Sequence, residues 1–195
     1  MIQAGREFLS HHDVVVESPT GSGKTLAYLL PTFAILNKRG KFGKHEFGAV
    51  ILSPSRELSS QIASVAKPFA EELGYSIAVT VGGTKVEQNL KKLKSLGGNI
   101  LIATPGRLFQ LLSLDKDGSL KRSLRTVEVL IVDEADRFHE TQFEIQGNIL
   151  IATPGRLFQL LSLDKDGSLK RSLRTVEVLI VDEADRFHET QFEIQ

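Results

Sequence analysis

The chain has 195 residues, 41% of them hydrophobic, with one methionine, no cysteine, no tryptophan, and 24 basic against 24 acidic side chains, as in one water-soluble domain of ordinary size. With no cysteine, a disulfide framework, a thiolate zinc site and a thiol nucleophile are excluded. No apolar run is long enough to span a bilayer, and residues 1–13 lack the apolar core and cleavage site of a secretory signal, so membrane insertion and export have no support and an intracellular protein is expected.

Taken in chain order, short β-branched runs alternate with amphipathic stretches. Asp13 to Glu17 (DVVVE) is the first expected strand. A glycine-rich loop, Ser18 to Thr25, follows it, and Leu26 to Leu30 reads as helix. Ala49 to Leu52 is the next strand; Leu58, Ile62, Val65 and Phe69 then share one helical stripe that Gly74 can close. Ile77 to Val81 is a strand, and Val86, Leu90 and Leu93 mark a helix over Thr84 to Leu96. Ile100 to Ala103 and Val127 to Val132 are strands, separated in part by the polar loop Leu114 to Ser123, which reads as a surface connection. Lys91, Lys92 and Lys94 read as a solvated helix face. Strands alternating with helices predict an α/β fold, a mostly parallel sheet with helices on both faces and ligands at the carboxyl ends of the strands.

Residues 98–146 recur without change as residues 147–195. Each copy carries six basic and eight acidic groups, leaving the first 97 residues with a net charge of +4. Solenoid repeats diverge because each unit meets a different environment, and their end units cap the stack. Two identical copies point instead to a recent duplication, an artificial joining, or an assembly or gene-prediction error. Residues 1–146 are read as one domain and 147–195 as its partial duplicate.

Chemistry concentrates in two places. A loop of the form Ser18-Pro19-Thr20-Gly21-Ser22-Gly23-Lys24-Thr25, between an apolar strand and a helix, suits backbone N–H groups wrapped around phosphates. There Lys24 neutralises the outer phosphates and the Thr25 hydroxyl ligates Mg²⁺, with Thr20, Gly21, Ser22 and Gly23 completing the cradle. The strand Val127 to Val132 ends in Asp133-Glu134-Ala135-Asp136, placing Asp133 to hold Mg²⁺ and Glu134 to polarise an attacking water. An Asp-Glu pair alone is a common helix cap; Lys24 makes the catalytic reading the stronger one.

With these motifs the chain resembles the first RecA-like domain of a DEAD-box RNA helicase. The resemblance rests on Ser18 to Thr25, Pro54-Ser55-Arg56-Glu57-Leu58, Gly82-Gly83, Thr104-Pro105-Gly106-Arg107 and Asp133 to Asp136, in the family's order and spacing. Within the family, the segments around Asp13 to Thr25 and Val127 to Arg137 look most like members that assist large-ribosomal-subunit assembly. The resemblance implies a RecA-like P-loop fold, ATP and Mg²⁺ as cofactors, and RNA held by its sugar-phosphate backbone through Arg56, Gly82, Gly83, Thr104, Gly106 and Arg107. Read without the family, Arg56 and Arg107 better suit helix-start side chains pairing with acids such as Glu57, and Gly82-Gly83 an ordinary turn. It also implies no membrane, a monomer, and a nuclear or nucleolar location.

The sequence departs from the family at three points. Gln3 lies nearer to Asp13 than the adenine-reading segment would place it, so no adenine-binding residue is assigned. No Ser-Ala-Thr motif follows the acidic strand, and the second RecA-like domain, whose arginine contributes about 10³ to 10⁵ in rate, is not found in the 195 residues. Slow hydrolysis and no unwinding by these residues alone are therefore expected. The third departure is the repeat: Asp133 and Glu134 are expected to act, with Asp182 and Glu183 redundant. Residues 148–153, which contain Ile149-Leu150-Ile151-Ala152-Thr153, are expected to fill the place of the Ser-Ala-Thr strand, and Leu157 to Gln195 to pack loosely. The rival readings are a non-catalytic RNA-binding regulator or decoy, a gene-prediction artefact of a longer helicase, and a P-loop hydrolase acting on something other than RNA.

Overall fold

The runs Ala49–Leu52 (β1), Ile100–Ala103 (β3) and Val129–Val132 (β4) contain no polar residue, so neither face of such a strand can be left to water. A computed structural model describes residues 22–134, 145–146, 149–150 and 178–181, and all three strands are buried along their length. With Ile77–Thr80 (β2) and Val178–Val181 (β7) they form a five-stranded parallel sheet in the order β2-β3-β1-β4-β7. The helices are Lys24–Arg39 (α1), Arg56–Glu72 (α2), Val86–Leu96 (α3), Pro105–Leu114 (α4) and Ser119–Ser123 (α5). The expected α/β architecture is the one found. None of these helices is long and apolar enough to cross a membrane.

Successive residues of a strand face opposite ways, so one hydrophobic run supplies two cores. Ala49, Ile51, Ile100, Ile102, Val129 and Ile131 pack with Leu29, Phe33 and Leu36 of α1 and Ile62 and Ala66 of α2. Their neighbours Val50, Leu52, Leu101, Ala103 and Leu130 pack with Leu90 and Leu93 of α3, Leu108 and Leu111 of α4 and Leu120 of α5. Each such Leu or Ile contributes about 1.5–3 kcal/mol on burial. The sheet is thus covered on both faces, and its carboxyl edge is where loops can gather functional side chains.

The expected strands and helices appear with modest shifts. The helix begins at Val86 rather than Thr84 because Gly83, at φ 102°, is still turning. The last strand begins at Val129, after a 3₁₀ turn over Leu124–Thr126. As expected, Gly74 (φ 73°) follows the end of α2 in the left-handed conformation. The strand expected over residues 13–17 lies outside the described residues, as do Thr20, Gly21, Asp136, Asp182 and Glu183.

Two expectations about the repeat need correction. The place beside β4 is taken by β7, its own copy, paired in register from Val129 with Val178 to Val132 with Val181. Ile149–Leu150 (β6) instead pairs antiparallel with Ile145–Gln146 (β5), in a separate two-stranded ribbon. Only two residues separate β5 from β6, so this local pairing closes a far smaller loop than a parallel crossover would. Within the stretch expected to pack loosely, Val178–Val181 therefore holds a place in the main sheet.

A third correction concerns Lys94, read as part of a solvated face. Its ammonium lies 2.7 Å from the Asp115 carboxylate and 2.6 Å from that of Asp117. The Asp115 side chain is fully buried and also accepts a hydrogen bond from the Lys121 amide. The loop read as a plain surface connection is anchored to α3 by this cluster. Hydrogen bonds from Lys94 first, then from the Ser119 amide and hydroxyl, hold the Asp117 carboxyl well below its ordinary value of 3.8.

Replacing Lys94 by methionine leaves the buried Asp115 without its cation, and unfolding in urea should show a loss of about 2 kcal/mol, less than for a fully buried pair because Lys94 is partly exposed. A depressed carboxyl value means that the Asp117 contribution is present above pH 3.8 and is lost as the pH falls below it. The difference in urea midpoint between wild type and Asp117→Asn should accordingly shrink on acidification.

Candidate active site

Parallel strands in register deliver their following residues to one edge. Beyond the strands themselves, the Ser53 amide donates to the Ala103 carbonyl (3.0 Å), Thr104 to Thr80 (3.2 Å) and Asp133 to Leu52 (2.9 Å). The Pro54-Ser55-Arg56, Gly82-Gly83, Thr104 to Arg107 and Asp133-Glu134 segments therefore begin at the same carboxyl edge of the sheet.

At this edge α1 starts on Gly23, whose left-handed backbone (φ 89°) suits a residue with no Cβ and gives no side-chain cap. Lys24 and Thr25, both half-buried, form its first turn. One turn on from Lys24, the buried Tyr28 donates its hydroxyl proton to Asp133 Oδ2 at 3.2 Å. The start of α1 and the end of β4, 105 residues apart in sequence at Tyr28 and Asp133, are thereby joined by a side-chain contact. Asp133 is 4% exposed. Its neighbour Glu134, half-buried, has φ 49°, and it is the one non-glycine residue with positive φ among the described residues. Such backbone strain persists where surrounding structure imposes it, and functional sites are where it collects.

The second group of expected residues surrounds a turn. Ser55 caps α2, accepting from the Leu58 amide at 3.1 Å. Arg56, the first residue of α2, is exposed and lies against the glycine pair: a Cβ on Gly83 would stand 2.5 Å from Arg56 Nη1, and one on Gly82 3.1 Å from Nη2. Its φ of 102° favours glycine at position 83, whereas the exposed Arg56 side chain could move aside for a Cβ. Arg107 is buried, and its Nη2 donates to the Thr84 carbonyl at 2.8 Å. Among the described residues neither arginine pairs with a carboxylate, so the alternative of helix-start ion pairs is not the arrangement found. Thr104 caps α4 through its backbone, and Gly106 is exposed with open space around it.

The structure thus brings Lys24, Thr25, Asp133 and Glu134 to one part of the edge, and Arg56, Gly82, Gly83 and Arg107 together on another. Sequence reasoning missed Tyr28 and the Thr84 carbonyl. Tyr28 was within reach of such reasoning, because it lies four residues after Lys24 on the same helical face; a backbone acceptor has no sequence signal. A cavity of about 440 Å³ lined by His45, Phe47, Lys94, Leu120 and Arg122 opens among segments that precede the strands.

A parallel α/β sheet with a helix starting in Gly-Lys-Thr and a carboxylate from a neighbouring strand defines a P-loop protein with a RecA-like fold. A family model described as DEAD/DEAH box helicase matches residues 2–148 and again residues 144–195, and the chain belongs to that family. A probable ATP-dependent RNA helicase DDX55 homolog of Caenorhabditis elegans is 51% identical over 143 residues, covering 73% of this chain and 24% of that protein. DEAD-box ATP-dependent RNA helicase 18 of Oryza sativa subsp. japonica is 46% identical over 140 residues, 71% of this chain and 21% of that protein. The chain spans about a quarter of the length of such relatives. Among solved structures, a DEAD-box helicase bound to single-stranded RNA and UDP-BeF superposes with a TM-score of 0.69 at 29% identity, covering 96% of this chain and 36% of that one.

Removing the Tyr28 hydroxyl takes a donor from a buried carboxylate. Tyr28→Phe should lower stability by about 1–2 kcal/mol in chemical denaturation. In an Asp133→Asn background the same change should cost measurably less, since the two groups act on one another.

Proposed function

We propose that the chain is the nucleotide-binding domain of an ATP-dependent RNA helicase, taking Mg·ATP at the start of α1 and a single strand of RNA along the neighbouring loops. The observation that carries this reading is the Tyr28–Asp133 hydrogen bond, which brings the turn bearing Lys24 and Thr25 beside the carboxylate at the end of β4. The donor set fits the group: N-terminal helix amides and an ammonium for phosphates, a hydroxyl and a buried carboxylate for a hard divalent cation. Thr20, Gly21, Ser22, Gly23, Lys24 and Thr25 would form the phosphate cradle, with Thr25 and Asp133 holding Mg²⁺. When bound, that ion neutralises charge on the outer phosphate oxygens.

Lys24 supplies a fixed positive charge to the outer phosphates, and Glu134 acts on the attacking water by accepting its proton in a hydrogen bond. The left-handed backbone at Glu134 supports this role, because strain of this kind collects at functional sites. Arg56, Gly82, Gly83, Thr104, Gly106 and Arg107 form the RNA side, reading the sugar-phosphate backbone and no base. The first copy of the repeat supplies the acting carboxylates, Asp133 and Glu134. Turnover by this domain alone is slow, because the described site holds no second-domain arginine. The resemblance of the segments around Asp13 to Thr25 and Val127 to Arg137 to family members that assist large-ribosomal-subunit assembly supports a place in that branch, with a nuclear or nucleolar site of action.

Titration of a fluorescent ATP analogue with and without Mg²⁺ tests the nucleotide side. Lys24→Ala should weaken binding by about tenfold or more, the worth of one charge-assisted contact. Asp133→Asn should remove most of the tightening that Mg²⁺ brings. Binding of poly-uridine that is indifferent to nucleotide, with no response to either substitution, would favour a non-catalytic RNA binder instead.

A further inference from the structure

A guanidinium has five N–H donors and stays charged in proteins, so its burial with donors unmatched calls for a reason. Arg107 is 7% exposed, one of its donors reaches the Thr84 carbonyl, and its Nε and Nη1 have no hydrogen-bond partner among the described residues. Arg56, by contrast, is exposed and lies along the Gly82-Gly83 backbone. The two arginines grip one turn, Arg56 at its glycine pair and Arg107 at the carbonyl that follows.

The turn has few other restraints. Gly82 and Gly83 carry no side chain to pack, Gly83 sits at φ 102°, and Thr84 and Lys85 are exposed. Below it, the Thr80 hydroxyl donates to Asn89 Oδ1 and fixes only the end of β2 to α3. Above that point, among the described residues, the Arg107–Thr84 bond is the side-chain hydrogen bond that reaches residues 82–84.

We propose that Arg107 is a positioning residue: it holds the Gly82-Gly83-Thr84 turn in the shape that receives the RNA backbone, while Arg56 meets the phosphate. This rests on the RNA reading of the site and assigns the two arginines different work within it. Arg107 contributes order to the turn, and Arg56 contributes charge to the strand.

Salt dependence separates the two roles. Losing a direct phosphate contact flattens the slope of log affinity against log salt by about 0.7 for a single strand. Arg56→Met should therefore weaken poly-uridine binding and flatten the slope by that amount. Arg107→Met should weaken binding by about tenfold, the scale of one charge-assisted hydrogen bond, and keep the wild-type slope. Hydrogen–deuterium exchange should speed up across residues 82–85 in Arg107→Met and stay slow in β3. A slope flattened as much as in Arg56→Met, with exchange in the turn unaltered, would overturn the proposal. If Arg107→Met does not fold, Arg107→Lys decides: it keeps the charge but loses the planar fork, so faster exchange in the turn with weaker binding supports positioning, and wild-type behaviour in both overturns it. Should wild type bind no poly-uridine, the exchange measurement still decides the role of Arg107, and only the RNA reading falls.

Discussion

A carboxylate withdrawn from water must be met by donors, and at Asp133 that requirement governs the site. Its own amide completes the ladder to Leu52, and its Oδ2 accepts a hydrogen bond from the Tyr28 hydroxyl. Because Tyr28 sits one turn into α1, the contact sets how closely that helix approaches the end of β4. The orientation of the Lys24–Thr25 turn follows from it. An unanswered charge at that depth would be costly enough to repel the helix or to admit water.

The sheet makes this contact possible because its strands lie in register. Thr80, Ala103, Leu52 and Val132 are the last residues of β2, β3, β1 and β4, and each is paired across to its neighbour. Four loops consequently leave at the same level, although they come from widely separated parts of the chain. The hydrophobic runs that build two cores at once thus align the chemistry too.

The sheet and the helices were legible because their signals are local. Continuous runs such as Ala-Val-Ile-Leu at 49–52 and the stripe at Leu58, Ile62 and Phe69 carry their own periodicity. The sites where the signal failed depend on partners far along the chain. Lys94 looks like any helix-surface lysine until the fold brings up Asp115 and Asp117. Arg107 looks like a surface arginine until the Thr84 carbonyl is found beside it. The placement of residues 149–150 failed for another reason: the sequence says that they favour an extended chain, and only the proximity of residues 145–146 says which neighbour they take.

The repeated segment turns the chain into its own control. Ile100 and Leu101 lie within a central parallel strand, whereas their duplicates Ile149 and Leu150 lie in a short antiparallel ribbon. Val129–Val132 is sandwiched between two strands, and its duplicate is one of those two. Intrinsic propensity is the same in each pair by identity of sequence, so every difference in conformation within it is owed to surroundings alone.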